Sequence, residues 1–124
     1  MCGIFGIYSK DKLSLHDKYL LKKSKEYLNH RGPDEFNIVS VNEKLSLAHT
    51  RLSIIDLSEN NQQPRSESNH TISFNGEIYN FQDLKKKYLF KEKFKTKGDT
   101  EVLIKLWRKF GKNALQYLDG MFAI

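Results

Sequence analysis

The chain opens Met1-Cys2-Gly3-Ile4-Phe5-Gly6-Ile7-Tyr8, and the reading of this stretch governs the rest. The single cysteine stands directly behind the initiator methionine, which is normally clipped when the next residue is small. Clipping leaves a thiol and a free α-amine on one residue. An α-amine titrates near ~7.7–8.0 and a thiol near ~8.5, so the amine can serve as a built-in base for the sulfur. Pairing a nucleophile with an adjacent base is the general way a weak nucleophile is activated. The plain alternative is a chance cysteine at a frayed terminus. Ile4, Phe5, Ile7 and Tyr8 argue against fraying, because an apolar strand ties a terminus into a sheet. Gly3–Tyr8 is therefore expected as a buried strand.

The 124 residues suit one domain with a core of its own, and 39% hydrophobic content excludes a disordered chain. One cysteine excludes an internal disulfide, which favours a reducing compartment. No apolar run approaches the ~18 residues of a membrane span. Lys10, Asp11 and Lys12 interrupt the opening too soon for a signal peptide, so the cytoplasm is the expected location. The net charge of +6 raises nucleic acid or an anionic membrane as partners. The lysines are spread, however, with Glu26, Asp83 and Glu92 interleaved, and no aromatic platform accompanies them. Neither nucleic acid nor membrane is expected. His16, His30, His49 and His70 show no metal-ligand spacing with one another or with Cys2, so no metal is expected either.

Beyond the first strand, Ser14 and Asp17 have the spacing of a capping box. Leu15, Tyr19, Leu20, Tyr27 and Leu28 then predict an amphipathic helix over Leu15–Leu28. Arg31-Gly32-Pro33-Asp34 breaks it. Phe36–Val41 and Leu45–Thr50 read as two strands around a turn at Asn42-Glu43, with Leu45, Leu47 and His49 on one face. Arg51–Ile55 continues from the second strand, and Asp56–Asn69 is expected as a long surface loop. Thr71–Phe74 reads as a strand, and Asn75-Gly76 is a strong hairpin-turn signal. Asn80 is placed to cap a helix over Phe81–Tyr88, and Asp99 one over Thr100–Phe110 that Gly111 closes. A helical piece at Asn113–Leu118 and a strand beginning at Met121 complete the pattern.

Five blocks along this path together resemble the glutaminase domain of class II, N-terminal-nucleophile glutamine amidotransferases, in the asparagine synthetase branch. They are Cys2-Gly3-Ile4-Phe5-Gly6-Ile7, His30-Arg31-Gly32-Pro33-Asp34, His49-Thr50-Arg51-Leu52-Ser53-Ile54-Ile55-Asp56-Leu57, Phe74-Asn75-Gly76-Glu77-Ile78-Tyr79-Asn80 and Asp99-Thr100-Glu101. Any one block is weak; five in order span essentially the whole chain. The Arg-Gly-Pro-Asp and Arg-Leu-Ser-Ile-Ile-Asp-Leu runs carry the branch assignment.

The resemblance implies roles. Cys2 is the nucleophile toward the side-chain amide of L-glutamine. The Asn75 side-chain amide and the Gly76 N–H form the oxyanion hole. Arg51 grips the substrate α-carboxylate, a job for which a planar guanidinium is suited. Asp99 pairs with the α-ammonium, and Glu77 and the backbone of Leu52, Ser53, Ile54 and Ile55 line the pocket. Arg31 and Asp34 support or close the site rather than react. Each also has a plainer reading: a surface arginine, a hairpin turn at Asn75-Gly76, a helix cap at Asp99.

The implied fold is α/β (α+β), a four-layer αββα sandwich with two sheets between helical layers, incomplete at the C-terminus. Residues 1–124 are then the N-terminal part of a type 2 glutamine amidotransferase domain. The implied partner is a synthetase domain that uses ATP and Mg²⁺ to activate aspartate; its pyrophosphate loop is absent from these residues. A contrasting reading is a non-catalytic remnant or regulatory glutamine-binding module, or an amidotransferase for another carboxylate acceptor.

Overall fold

The computed structural model describes residues 2–52 and 62–124. Strand β1, Gly3–Tyr8, pairs antiparallel with β3, Leu45–Arg51, and β3 pairs on its other side with β2, Glu35–Asn42, giving the order β1-β3-β2. The β2–β3 turn falls at Glu43-Lys44, one residue later than the expected Asn42-Glu43, because Asn42 still pairs with Leu45. Helix α1, Leu15–Leu28, begins with the expected capping box: Ser14 Oγ accepts from Asp17 N–H, and the Asp17 carboxylate accepts from Ser14 N–H.

Two features of this first unit differ from expectation. β1 is only half-buried, with Tyr8 on the surface. The buried stripe of α1 runs through Leu21 and Ser24 toward Leu28, while Leu15, Tyr19 and Tyr27 face solvent. Thr50 on β3 donates its hydroxyl to Leu28 O, which seats the helix end against the sheet. The apolar spacing was helical in either case; tertiary packing chose which stripe to cover.

The second unit holds the main core. A hairpin of β4, Arg65–Glu67, and β5, His70–Ile72, occupies the later part of the expected long loop. Strand β6, Asn75–Ile78, pairs antiparallel with β7, Gly120–Ala123. Helices α2, Phe81–Tyr88, and α3, Asp99–Phe110, pack with a 3₁₀ segment, Gly111–Tyr117, over Ile72, Phe74 and Ile78. Asn75-Gly76 is therefore not a hairpin turn. Gly76 sits opposite Phe122 with φ +147°, and a Cβ there would run into the Met121 carbonyl, so only glycine permits this approach of β7.

Of the two predicted caps, Asn80 holds the N-cap position of α2 without a side-chain cap bond, and Asp99 does not hold that of α3. Asn80 makes no cap bond; its amide instead donates to Tyr117 O at 2.8 Å and accepts from Asp119 N at 3.1 Å, fastening α2 to the start of β7. Gly98 occupies the N-cap of α3, and Asp99 is its first helical residue. Mixed strands and helices with open sheets match the expected α/β class.

Glu101, 1% exposed, organises the approach to α3. Its carboxylate accepts from the N–H groups of Lys95 and Thr96 and from the Thr96 hydroxyl, and Arg65 Nη2 lies at 3.3 Å. Burial pushes its carboxyl up, but these hydrogen bonds and Arg65 outweigh that and hold it below the usual carboxylate range. Removing one partner of a buried pair strands the other. Glu101→Ala should therefore cost about 3–5 kcal/mol in denaturant unfolding. A loss below about 1 kcal/mol would mean that the pair is dispensable.

Candidate functional site

Paired residues of an antiparallel sheet share a face. The register Gly3↔Thr50 and Ile4↔His49 puts Ile4 and His49 on one face, with Gly3 and Thr50 on the face covered by α1. One step beyond Gly3↔Thr50, Cys2 comes abreast of Arg51 on the face that His49 occupies. Sulfur contacts agree: Leu52 N–H donates to Cys2 Sγ at 3.4 Å, and the Leu52 carbonyl lies 3.9 Å away. The terminal thiol is thus held at the end of the sheet rather than frayed.

Arg51 is buried and pairs with Glu35 across β2–β3 at 3.1 Å. Glu35 escaped the sequence reading, because only the register reveals that it faces Arg51. The Arg-Gly-Pro-Asp block lies against the same strand end: Asp34 N–H donates to Arg51 O at 3.1 Å. A Cβ on Gly32 would sit 2.6 Å from the backbone of Thr50 and Arg51, so glycine allows the block to close on β3. Arg31 and Asp34 were expected as support. What the structure shows is backbone contact: Asp34 with the end of β3, and Arg31 N–H with Leu28 O at 2.9 Å.

The second group of candidates lies on β6 and α3. Asn75, Gly76 and Glu77 follow one another along β6, and the Asp99 carboxylate accepts from Ile78 N–H at 3.0 Å. Burial pushes the Asp99 carboxyl above the usual range; hydrogen bonds from Ile78, Asp99 and Thr100 N–H groups pull it down less strongly, and Glu77 adds to the upward push. A buried carboxylate held against its desolvation cost, with no cation paired to it among the described residues, is a candidate for binding one. The buried Asn75 Oδ1 has no hydrogen-bond partner among the described residues.

His49 joins the two groups. Its ring Nε2 is 3.1 Å from the carbonyl of Phe74, the residue before Asn75. On the other side of Phe74, its N–H donates to Gln63 Oε1 at 2.7 Å. Sequence spacing gave no signal for either contact. Of the expected pocket residues, Ser53, Ile54 and Ile55 lie outside the described residues, while Leu52 meets the thiol. A separate cavity of about 430 Å³, lined largely by apolar side chains including Leu47, Ile72, Ile104 and Trp107, involves none of the candidate residues. Among the described residues no group of three His, Cys, Asp or Glu could hold a metal ion, and no helix is long and apolar enough to cross a membrane.

Residues 1–124 match the family model described as a glutamine amidotransferase domain. The chain is similar to asparagine synthetase B [glutamine-hydrolyzing] of Escherichia coli (strain K12), 37% identical over 126 residues that cover 99% of this chain and 22% of that protein. It is also similar to asparagine synthetase [glutamine-hydrolyzing] 1 of Bacillus subtilis (strain 168), 39% identical over 128 residues, 99% of this chain and 20% of that protein. A putative asparagine synthetase [glutamine-hydrolyzing] 2 of Methanocaldococcus jannaschii is 35% identical over 142 residues, 99% of this chain and 27% of that protein. The chain spans roughly a fifth to a quarter of the length of these relatives.

The Asp99 environment yields a test of sign. A carboxyl raised above its unfolded value of 3.8 destabilises the fold once the pH passes that value, and fully above its folded pKa. Below the unfolded value both states are protonated and the penalty vanishes. Asp99→Asn should raise Tm at pH 7, with the gain fading toward pH 3. A lower Tm at pH 7 would show that the ionised carboxylate stabilises the fold.

Proposed function

The chain belongs to the glutamine amidotransferase domain family, and from that premise we propose that it hydrolyses the side-chain amide of L-glutamine with Cys2 as nucleophile. The observation that carries the reading is the tethered thiol, seated against the backbone of Leu52, the residue after Arg51, just past the end of the β1–β3 ladder. In this reading Met1 is removed and the Cys2 α-amine takes the thiol proton. Sulfur adds to the amide carbon, and the carbonyl oxygen becomes an oxyanion facing the Asn75 amide and Gly76 N–H. Collapse expels ammonia, with its additional proton supplied by the α-ammonium, and leaves a thioester. Water then attacks the thioester, releasing glutamate and restoring the thiol.

Arg51 holds the α-carboxylate while Glu35 orients its guanidinium; five N–H donors leave room for both. Asp99 takes the α-ammonium, and Glu77 with the backbone of 52–55 completes the pocket. A cationic and an anionic grip on one ligand specify a free α-amino acid. The fold behind this reading is the four-layer αββα sandwich: α1 lies on one face of the β1-β3-β2 sheet, and the β5–β6 region with α3 lies toward the other. We assign residues 1–124 to the N-terminal part of this amidotransferase domain. The names of the similar proteins support coupling of glutamine hydrolysis to asparagine synthesis. The proposal is completed by a synthetase domain, in the cytoplasm, that takes the ammonia and amidates aspartate with ATP and Mg²⁺. No residue described here is assigned to those cofactors.

Intact-mass measurement should show the active form lacking Met1; full turnover by a chain retaining it would remove the α-amine as base. Cys2→Ala should abolish hydrolysis and keep glutamine binding. Asn75→Ala should lower kcat by about 10²–10³-fold with KM little changed, since the oxyanion exists only along the reaction path. A rise in KM alone would move Asn75 to ground-state binding. Arg51→Ala should weaken glutamine and glutamate alike, measured by calorimetry; unaltered affinity would release Arg51 from the carboxylate.

A further inference from the structure

We propose that His49 and Gln63 are positioning residues that together fix the backbone of Phe74 and so set where Asn75 and Gly76 present their donors. Phe74 is 2% exposed and lies between β5 and β6, outside either ladder, so its peptide groups need partners from elsewhere. Two side chains supply them. Gln63, 6% exposed, accepts from Phe74 N–H and orients the peptide plane before Phe74. His49, 1% exposed, binds Phe74 O and orients the plane after it, which is also the plane of the Asn75 N–H. Both free dihedrals of Phe74 are thereby pinned from opposite sides.

The chemistry of the His49 contact is determined. A carbonyl oxygen only accepts, so Nε2 carries the proton and donates, and the neutral ring is left with Nδ1 as an acceptor. That Nδ1 is buried with no partner among the described residues. Burial first, then the charge of Arg51, keeps the ring neutral against the opposing pulls of the Phe74 bond and Glu35. An unpartnered nitrogen in the interior is a cost that packing alone would remove by substituting an apolar residue. The demand it meets is geometric: His49 stands on the face that Cys2 and Arg51 share and reaches the residue preceding Asn75. It is a strut between the nucleophile's sheet and the oxyanion donors.

This inference rests on the proposed roles of Cys2, Asn75 and Gly76, and its test separates the two. The experiment measures kcat and KM for L-glutamine in the unmodified chain, His49→Leu, His49→Gln and Gln63→Leu, with thermal unfolding of each. Amide exchange at Phe74–Glu77 is followed by NMR against Gly3–Tyr8 as the internal reference. His49→Leu and Gln63→Leu should each lose about 10–10²-fold in kcat with KM within about twofold, the signature of misplaced donors. His49→Gln keeps an N–H that can reach Phe74 O, and should recover most of the loss. A rise in KM alone, or equal losses in His49→Gln and His49→Leu, overturns the strut. Absence of turnover in the unmodified chain counts against the proposed hydrolysis, and exchange then decides the strut by itself. Protection at Asn75–Glu77 should fall at least about tenfold in His49→Leu while the reference strand keeps its protection. Unchanged protection overturns the proposal. Should His49→Leu not fold, Gln63→Leu carries the same readouts.

Discussion

The antiparallel ladder between Gly3–Tyr8 and Leu45–Arg51 is the constraint on which the rest depends. A chain terminus ordinarily frays, because its few contacts do not outweigh the entropy of ordering it. Here six consecutive register pairs tie the first strand to the middle strand of a sheet. The tie ends one residue short of Cys2, so the sulfur is at once located and at the margin of the sheet. The same middle strand carries Arg51 at its end and His49 two residues earlier, on one face. Shifting the register by a single residue would turn all of these side chains to the face covered by α1.

Two acids two residues apart on α3 meet opposite electrostatic environments. Glu101 is saturated with donors from Lys95, Thr96 and Arg65, and its carboxyl is held low. Asp99 receives backbone N–H groups, and its carboxyl is raised by burial. The first arrangement locks the segment leading into the helix. The second leaves the ionised form of a buried acid short of compensation, which fits the proposed role of Asp99 toward a cationic ligand group. Sequence alone made both residues part of one Asp-Thr-Glu block, and burial with hydrogen bonding separates their tasks.

Local signals were legible wherever a residue acts on its own neighbours. Ser14 and Asp17 fixed the start of α1, and the Leu45–Thr50 alternation located the strand that carries Arg51. The resemblance of the five blocks named the candidates, and the structure gathers those among the described residues into two groups joined at Phe74. What stayed hidden was long-range. Asn80 and Asp99 are ordinary cap residues by type, yet their side chains are used by Asp119 and Ile78, which no local rule anticipates. The stripe on α1 was misplaced because aromatic residues at helical spacing fit a buried face and an exposed one equally well. Glu35 and Gln63 become visible only when register and loop path bring them to Arg51 and Phe74.

Asn75-Gly76 shows why a strong local motif can be wrong about structure. As a hairpin, the pair would owe its geometry to two residues and a turn type. In a strand it depends on what crosses it. Phe122 lies opposite Gly76, the Met121 carbonyl occupies the space a Cβ would need, and the chain enters through Phe74, held on both sides by His49 and Gln63. An oxyanion donor, the role proposed for Asn75 and Gly76, must not reorganise as charge develops, and preorganisation of this kind comes from packing on several sides rather than from turn propensity. The glycine is thus required by the neighbouring strand, and the asparagine beside it is positioned by residues 12 and 26 places upstream in the chain, counting Gln63 and His49 from Asn75.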